Sequence, residues 1–339
     1  MNVSPPPHGY ASWPPKGAAG PLGGGPALGP RGPVCLVMNA ASGDGDKAAA
    51  RDTIEGVLRE AGRPFTTRIA ERGDQIPQLA AEAVAQAVAE DGIVIAAGGD
   101  GTLNAVAQAV LPSNRPFGVL PQGTFNYFAR AHGLPLAPEA AARTWLAGHV
   151  REVQVGDVNG QAFLVNASLG IYPRLLRARE EDNRRFGRHR AVAAWAALRT
   201  LWRERRTLRL SLQADGGAAR RVRTPTLFVG NNALQLEQLG LAEAQAVQSQ
   251  GRLAAVTVQP VGKPTMLWLA VRGAFAALGD ADEVQSLAFR ELVATPLRHT
   301  RRPLHVAYDG ELRWLSPPLR FAVAAQPLRL LVPAEEAAP

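Results

Sequence analysis

Three times in its first half this chain runs through a short apolar, β-rich stretch, then a glycine-bearing loop, then a segment that can form a helix. Val34 to Met38 leads through Asn39-Ala40-Ala41-Ser42-Gly43-Asp44-Gly45 into a helix-compatible stretch from Asp46 to Ala61. Ile93 to Ala97 leads through Gly98-Gly99-Asp100-Gly101 into a short helix from Thr102. Phe117 to Leu120 leads through Pro121-Gln122-Gly123-Thr124-Phe125-Asn126 into helices that continue to Leu146. Between the first two lie Phe65 to Ala70 and an Ala-rich helical segment, Gln75 to Glu90. Strands alternating with helices predict a parallel sheet covered on both faces. In such sheets ligands bind beyond the carboxyl ends of the strands, where all three glycine loops fall.

The loops suit an anion. Glycines let backbone N–H groups approach a charged ligand with no side chain in the way, and the helix that follows adds the positive end of its dipole. The natural ligand is a phosphate, set against the plainer reading of a capped strand-to-helix turn. Thr124 and Asn126 can hydrogen-bond a phosphate or ribose, with the charge of Arg130 nearby. Three such loops at one sheet edge favour a nucleotide cleft. Several standard nucleotide and hydrolase signatures are absent: no GxxxxGK[ST], no GxGxxG after a strand, no VAIK or HRD, and no GxSxG elbow. The six His are scattered without ligand spacing, so no resident metal site is expected from them.

After Arg151 the pattern changes to paired extended runs. Glu152 to Val158 and Ala162 to Ala167 flank Asn159-Gly160, while Thr207 to Gln213 and Arg221 to Val229 flank Asp215-Gly216-Gly217. Further runs lie at Leu253 to Val258, Leu287 to Val293, Leu304 to Tyr308 and Leu319 to Ala325, with helical segments near 172–186, 189–206 and 263–278. Asn-Gly and Asp-Gly between extended runs are hairpin signals, so this half reads as mostly antiparallel β. Asp309-Gly310-Glu311 sits in such a turn, and the residues alone leave open whether it does more than turn the chain.

At 339 residues, 46% hydrophobic and 19% charged, the chain is long enough for two domains and ordinary enough to be globular. The expected division is a Pro/Gly-rich disordered tail over 1–33, an α/β nucleotide-binding domain over 34–148, a β-rich substrate domain over 149–332 and a short tail over 333–339. The tail holds nine Pro and eight Gly and no apolar run, and nothing in it resembles a secretory signal. A single cysteine, Cys35, forbids an internal disulfide and fits a cytoplasmic setting. Net charge is +8, and only Lys16, Lys47 and Lys263 among the 37 basic residues are lysines. That Arg bias points to phosphate, anionic lipid or nucleic acid, although the Arg residues are dispersed and no nucleic-acid module is legible.

Asn39-x-x-Ser42-Gly43, then Gly98-Gly99-Asp100-Gly101-Thr102, then Pro121-x-Gly123-Thr124-x-Asn126-x-Phe128-Ala129-Arg130, and finally Asp309-Gly310-Glu311 together resemble the diacylglycerol kinase catalytic-domain family. That family includes bacterial lipid kinases and sphingosine kinases, and the resemblance runs over roughly residues 33 to 332. It implies an N-terminal α/β domain of the NAD kinase and phosphofructokinase type, holding ATP in its glycine loops, and a C-terminal, mainly antiparallel β-sandwich that completes the cleft. Carried over by position, Asn39, Ser42, Gly43, Gly98, Gly99, Gly101, Thr102, Gly123, Thr124 and Asn126 would bind the nucleotide. Asp100 would belong to the phosphate and Mg²⁺ network, and Asp309 would be the base that takes the proton of the lipid hydroxyl, with Glu311 beside it as a third catalytic residue.

This chain departs from the family pattern in places. Asn39-Ala40 stands where Asn-Pro is common, and Tyr127 where many members have Asp. Gln250-Gly251-Arg252-Leu253 occupies what looks like an Asp-Gly-x-Leu segment, and Ala255 replaces an acid, so the regulatory metal site of several bacterial members lacks its carboxylates here. In 189–206, Trp195 and Trp202 share one helical face beside a stripe of Arg199, Arg203 and Arg206. This suits a headgroup interface as well as it suits a packing helix, and implies a protein peripheral to the membrane. The leading reading is an ATP-dependent kinase for the hydroxyl of a membrane lipid, diacylglycerol first. A soluble-substrate kinase resembling NAD kinase and a non-catalytic binder of anionic surfaces are the alternatives.

Overall fold

The structure, a computed structural model, describes residues 32–40, 47–170, 207–262, 265, 268, 279, 281–298 and 302–334. The first loop from Ala41 to Asp46, both helical segments expected within 172–206, most of 263–278 and all but the ends of the two tails lie outside these residues.

Strands β1 (Val34–Asn39), β2 (Phe65–Ala70), β3 (Ile93–Gly98) and β4 (Phe117–Pro121) pair in parallel in the order β2-β1-β3-β4. β1, β3 and β4 are buried along their whole length, which is why they read as continuous apolar runs instead of alternating ones. One face, with Val37, Val94, Ala96 and Val119, packs on α2 (Ile76–Ala89) and α3 (Asp100–Val110). The other, with Leu36, Met38, Ile95 and Leu120, packs on α1 (Lys47–Glu60) and α5 (Pro138–Ala147) through Ile54, Leu58 and Trp145. A short helix, α4 (Tyr127–Ala131), follows β4. The sheet is completed by segments beyond Gly148: β18 (Leu328–Val332) runs parallel to β4, and β5 (His149–Val153) antiparallel to β18. The boundary expected at 148/149 therefore does not coincide with this sheet, because both chain segments that flank the β-rich region return to it.

The remaining strands form two antiparallel six-stranded sheets. One runs β10 (Arg220–Thr224), β9 (Leu208–Ala214), β14 (Glu291–Pro296), β17 (Leu319–Val323), β6 (Gly156–Val158), β7 (Gln161–Phe163). The other runs β13 (Val284–Phe289), β12 (Leu253–Val258), β11 (Thr226–Gly230), β8 (Asn166–Gly170), β15 (Leu304–Tyr308), β16 (Glu311–Leu315). Phe163, Leu212 and Phe321 from the first share a core with Leu169, Val229 and Val306 from the second, which makes a sandwich. Helices α6 (Ala233–Gln238) and α7 (Ala244–Ser249) cover part of the second sheet's outer face.

Each of the runs at 152–158, 162–167, 221–229 and 287–293 is broken in the fold. The breaks fall at 154–155, 164–165, Pro225 and Arg290, where the chain passes from one sheet to another. Only Pro225 marks its break in the sequence, because it cannot donate to a ladder. Among the described residues, no helix is long and apolar enough to cross a membrane.

Candidate active site

The carboxyl end of β3 is where the first sheet opens. Gly98 is followed by Gly99, extended at φ −81°, and α3 begins at Asp100 with no side chain capping it. The first amides of an uncapped helix point outward and carry the positive end of its dipole, a ready anion site. Gly98 is required for packing: a Cβ there would lie 2.6 Å from Cβ of buried Thr102. Thr102 in turn accepts a hydrogen bond at 2.9 Å from Nδ2 of Asn39, so the end of β1 is tied to the start of α3.

The loop after β4 lies directly against this turn. Gln122 N–H donates to the Gly98 carbonyl at 2.7 Å, and a Cβ on Gly123 would stand 2.9 Å from the Gly99 Cα. Asn126 adopts φ +49° and accepts the Gly123 N–H through Oδ1 at 2.8 Å; Asn tolerates this left-handed conformation better than most residues. Thr124 is exposed at the loop's outer side. Asp100 accepts from the Phe128 N–H at 3.4 Å, and burial raises its carboxyl above the ordinary range against the pull of the Phe128 and Tyr127 amides.

Asp309 and Gly310 turn the chain between β15 and β16 with φ +45° and +88°, the pair of positive angles a two-residue hairpin requires. The hairpin reading is thus correct, and it does not exhaust Asp309. Its side chain turns inward and is 5% exposed. Oδ1 accepts the Val165 and Asn166 N–H groups at 2.9 Å each; Oδ2 accepts the Leu164 N–H and, at 2.9 Å, Nδ2 of Asn104. Residues 164 to 166 are the passage from β7 into β8. Asp309 accepts the three amides of this passage, which buried backbone requires. Burial pushes the Asp309 carboxyl up to about 7, the negative charge of Asp100 adds to that, and the donated amides act against it.

Asn104 on α3 joins the two regions. Its Nδ2 reaches the Ala162 carbonyl at 2.7 Å as well as Asp309, and the residue is 3% exposed. The sequence reading did not single it out. One signal was available: Asn104 lies four residues after Asp100 and therefore on the same face of α3. Asn231 and Asn232 are further links, donating to the Leu164 carbonyl at 2.9 Å and the Tyr127 carbonyl at 3.1 Å.

Glu311, exposed, points toward the loop after β3: a Cβ on Gly101 would lie 3.7 Å from its Oε1 and 3.4 Å from the Asp309 carbonyl oxygen. The fold thus gathers Asn39, Gly98, Gly99, Asp100, Gly101, Thr102, Gly123, Asn126, Asp309 and Glu311 at one edge. Ser42 and Gly43 lie outside the described residues. Each oxygen of Asp309, the residue expected as the base, accepts two hydrogen bonds in this structure. Among the described residues no three His, Cys, Asp or Glu side chains come together as a metal site.

Residues 33–158 match the family described as the diacylglycerol kinase catalytic domain. A "Probable lipid kinase YegS-like" protein of Pseudomonas aeruginosa is 34% identical over 151 residues, covering 44% of this chain and 48% of that protein. A diacylglycerol kinase of Bacillus subtilis is 48% identical over 81 residues, covering 23% of this chain and 27% of that protein. The chain spans about half, or less, of the length of these curated relatives. The crystal structure of a diacylglycerol kinase from Bacillus anthracis str. Sterne aligns over 90% of this chain and 98% of that one, with a TM-score of 0.64 and 18% identity, a likeness of fold that runs through both regions. Residues 33–158, which carry the glycine loops gathered at this sheet edge, are thus similar to the diacylglycerol kinase catalytic domain.

Proposed function

We propose that this protein transfers the γ-phosphate of ATP to the hydroxyl of a membrane lipid, with diacylglycerol as the first candidate. The observation that carries the reading is the approach of Glu311 to Gly101, which brings an exposed carboxylate from the second region to the uncapped start of α3. The amides of that helix start hold the phosphates and favour the charge that develops on the transferred group. The lipid oxygen attacks the γ-phosphorus, the bond to the β–γ bridging oxygen breaks, and ADP leaves. Glu311 takes the proton of the attacking hydroxyl. Asp309 is a positioning residue that fixes the turn presenting Glu311.

Mg²⁺ neutralises phosphate charge in such transfers. It is usually held by one or two carboxylates plus phosphate oxygens, and Asp100 at the loop fits that demand. The protein acts at the bilayer surface, where its substrate resides, as a peripheral protein of the cytoplasmic side.

The test is label transfer from γ-labelled ATP with Mg²⁺ to mixed vesicles carrying diacylglycerol, sphingosine and phosphatidylglycerol. Label entering one lipid, and lost in Glu311→Gln, supports the reading and names the acceptor. Label entering no lipid overturns it.

A further inference from the structure

The edge of the first sandwich sheet carries a run of cations for which the active site has no use. β10 reads Arg220-Arg221-Val222-Arg223, and Val222 packs toward the core, so Arg221 and Arg223 project from the outer face. Arg209 of β9 stands directly opposite Arg223 in the antiparallel register, and Ser211 opposite Arg221. Arg209, Arg221 and Arg223 are all exposed, and among the described residues none makes an ion pair. Arg223 donates Nε to the Thr207 hydroxyl at 3.1 Å. Like charges directly opposite on a strand pair destabilise it, so this arrangement works against the hairpin unless an anion sits on it.

The surroundings fit an anionic surface. A groove of about 200 Å³ runs between this edge and the other sheet, where Arg221, Arg223, Thr257, Gln259 and Gln285 line it beside Val222 and Val258, with no carboxylate among them. Leu297, 42% exposed, donates its N–H to the Arg209 carbonyl at 2.8 Å, and Arg298 beside it is exposed too. Arginine forks match phosphate oxygens, and an exposed leucine among them adds an apolar contact of the kind found at headgroup depth. We propose that the β9–β10 face, through Arg209, Arg221 and Arg223, docks the protein on a bilayer of anionic phospholipid. The choice of a bilayer over another polyanion rests on the lipid-kinase reading above.

The test is sedimentation of the full chain with phosphatidylcholine vesicles, alone or with one third phosphatidylglycerol, at low and high salt. The triple variant R209Q/R221Q/R223Q is compared with R59Q/R72Q/R143Q, which removes the same charge from the other region, and with R209K/R221K/R223K. Wild-type binding to the anionic vesicles, weakened by salt, lowered about 100-fold in the first variant and kept in the other two, supports docking by charge on this face. Wild type that ignores the anionic vesicles, equal loss in the R59Q/R72Q/R143Q variant, or tighter binding to duplex DNA than to vesicles overturns it. Lipid phosphorylation in neutral detergent micelles reads the other claim separately. Activity there that is unchanged in the first Gln variant leaves both standing, whereas a wild type that labels no lipid in micelles removes the kinase reading while the vesicle result still decides the docking face.

Discussion

Nδ2 of Asn104 lies 2.9 Å from Oδ2 of Asp309, across 205 residues of chain, in a setting that excludes water. One amide group thereby couples the helix that starts after Gly99 to the turn that carries Glu311. A second bond from the same nitrogen, to the Ala162 carbonyl, ties that pair to β7. Asn104→Ala removes both bonds and is expected to cost about 2–4 kcal/mol, with kcat falling further than KM for ATP rises. Asn104→Asp replaces the donor by an acid, so its activity should fall most steeply above neutral pH. A pH–rate profile that parallels wild type would show that Asn104 only packs.

Glu311 and Asp309 should separate by readout. Glu311→Gln changes an exposed side chain and leaves the melting temperature near wild type, while kcat falls about 100-fold or more. Asp309→Asn places N–H groups where buried amides need acceptors, at a cost of about 2–4 kcal/mol, so the melting temperature drops as well. Thermal melts beside steady-state kinetics check this, and an Asp309→Asn protein as stable as wild type would show that the amides of residues 164 to 166 do not depend on the carboxylate.

Stability should depend on the protonation of Asp309 with a definite sign. Its carboxyl is pushed up to about 7 by burial, whereas an unfolded aspartate titrates near 4. Between those values the folded state holds a proton the unfolded state has lost, so this group favours the fold less as pH rises from about 4 to about 7, and no further above that. Denaturant unfolding across that range should show wild type losing stability relative to Asp309→Asn. Parallel curves for the two proteins would contradict the raised value.

Gly101→Ala should uncouple folding from binding. The added methyl would stand 3.4 Å from the Asp309 carbonyl oxygen, an ordinary contact, and alanine favours a helix over glycine by about 0.5–1 kcal/mol. The same methyl occupies space above the helix-start amides, so ATP affinity should fall at least tenfold while the melting temperature holds or rises. Isothermal titration beside a thermal melt reads both. At Gly98 the methyl would meet buried Thr102 at 2.6 Å, and there the melting temperature should fall instead.

Much of the first region was legible in the sequence because its signals are local. β2 runs over Phe65–Ala70, as its apolar run predicts, and the helices begin and end within a residue or two of the expected positions. Glycine loops after buried runs marked the sheet edge where the β3 and β4 turns meet, since only glycine admits the contacts that Gly98 and Gly123 make. The Asn-Gly and Asp-Gly pairs marked their hairpins for the same reason, through positive φ angles. The positions that only the tertiary structure decided are those where distant segments meet. Apolar runs crossing from sheet to sheet look unbroken, and nothing local distinguishes β18 as a strand of the first sheet. The inward turn of the Asp309 carboxylate is set by three backbone amides and one asparagine that become its neighbours only after both regions have packed. Sequence patterning specifies which residues prefer a turn or a buried face, while the partners that hold Asp309 and bring Glu311 toward Gly101 are a property of the assembled fold.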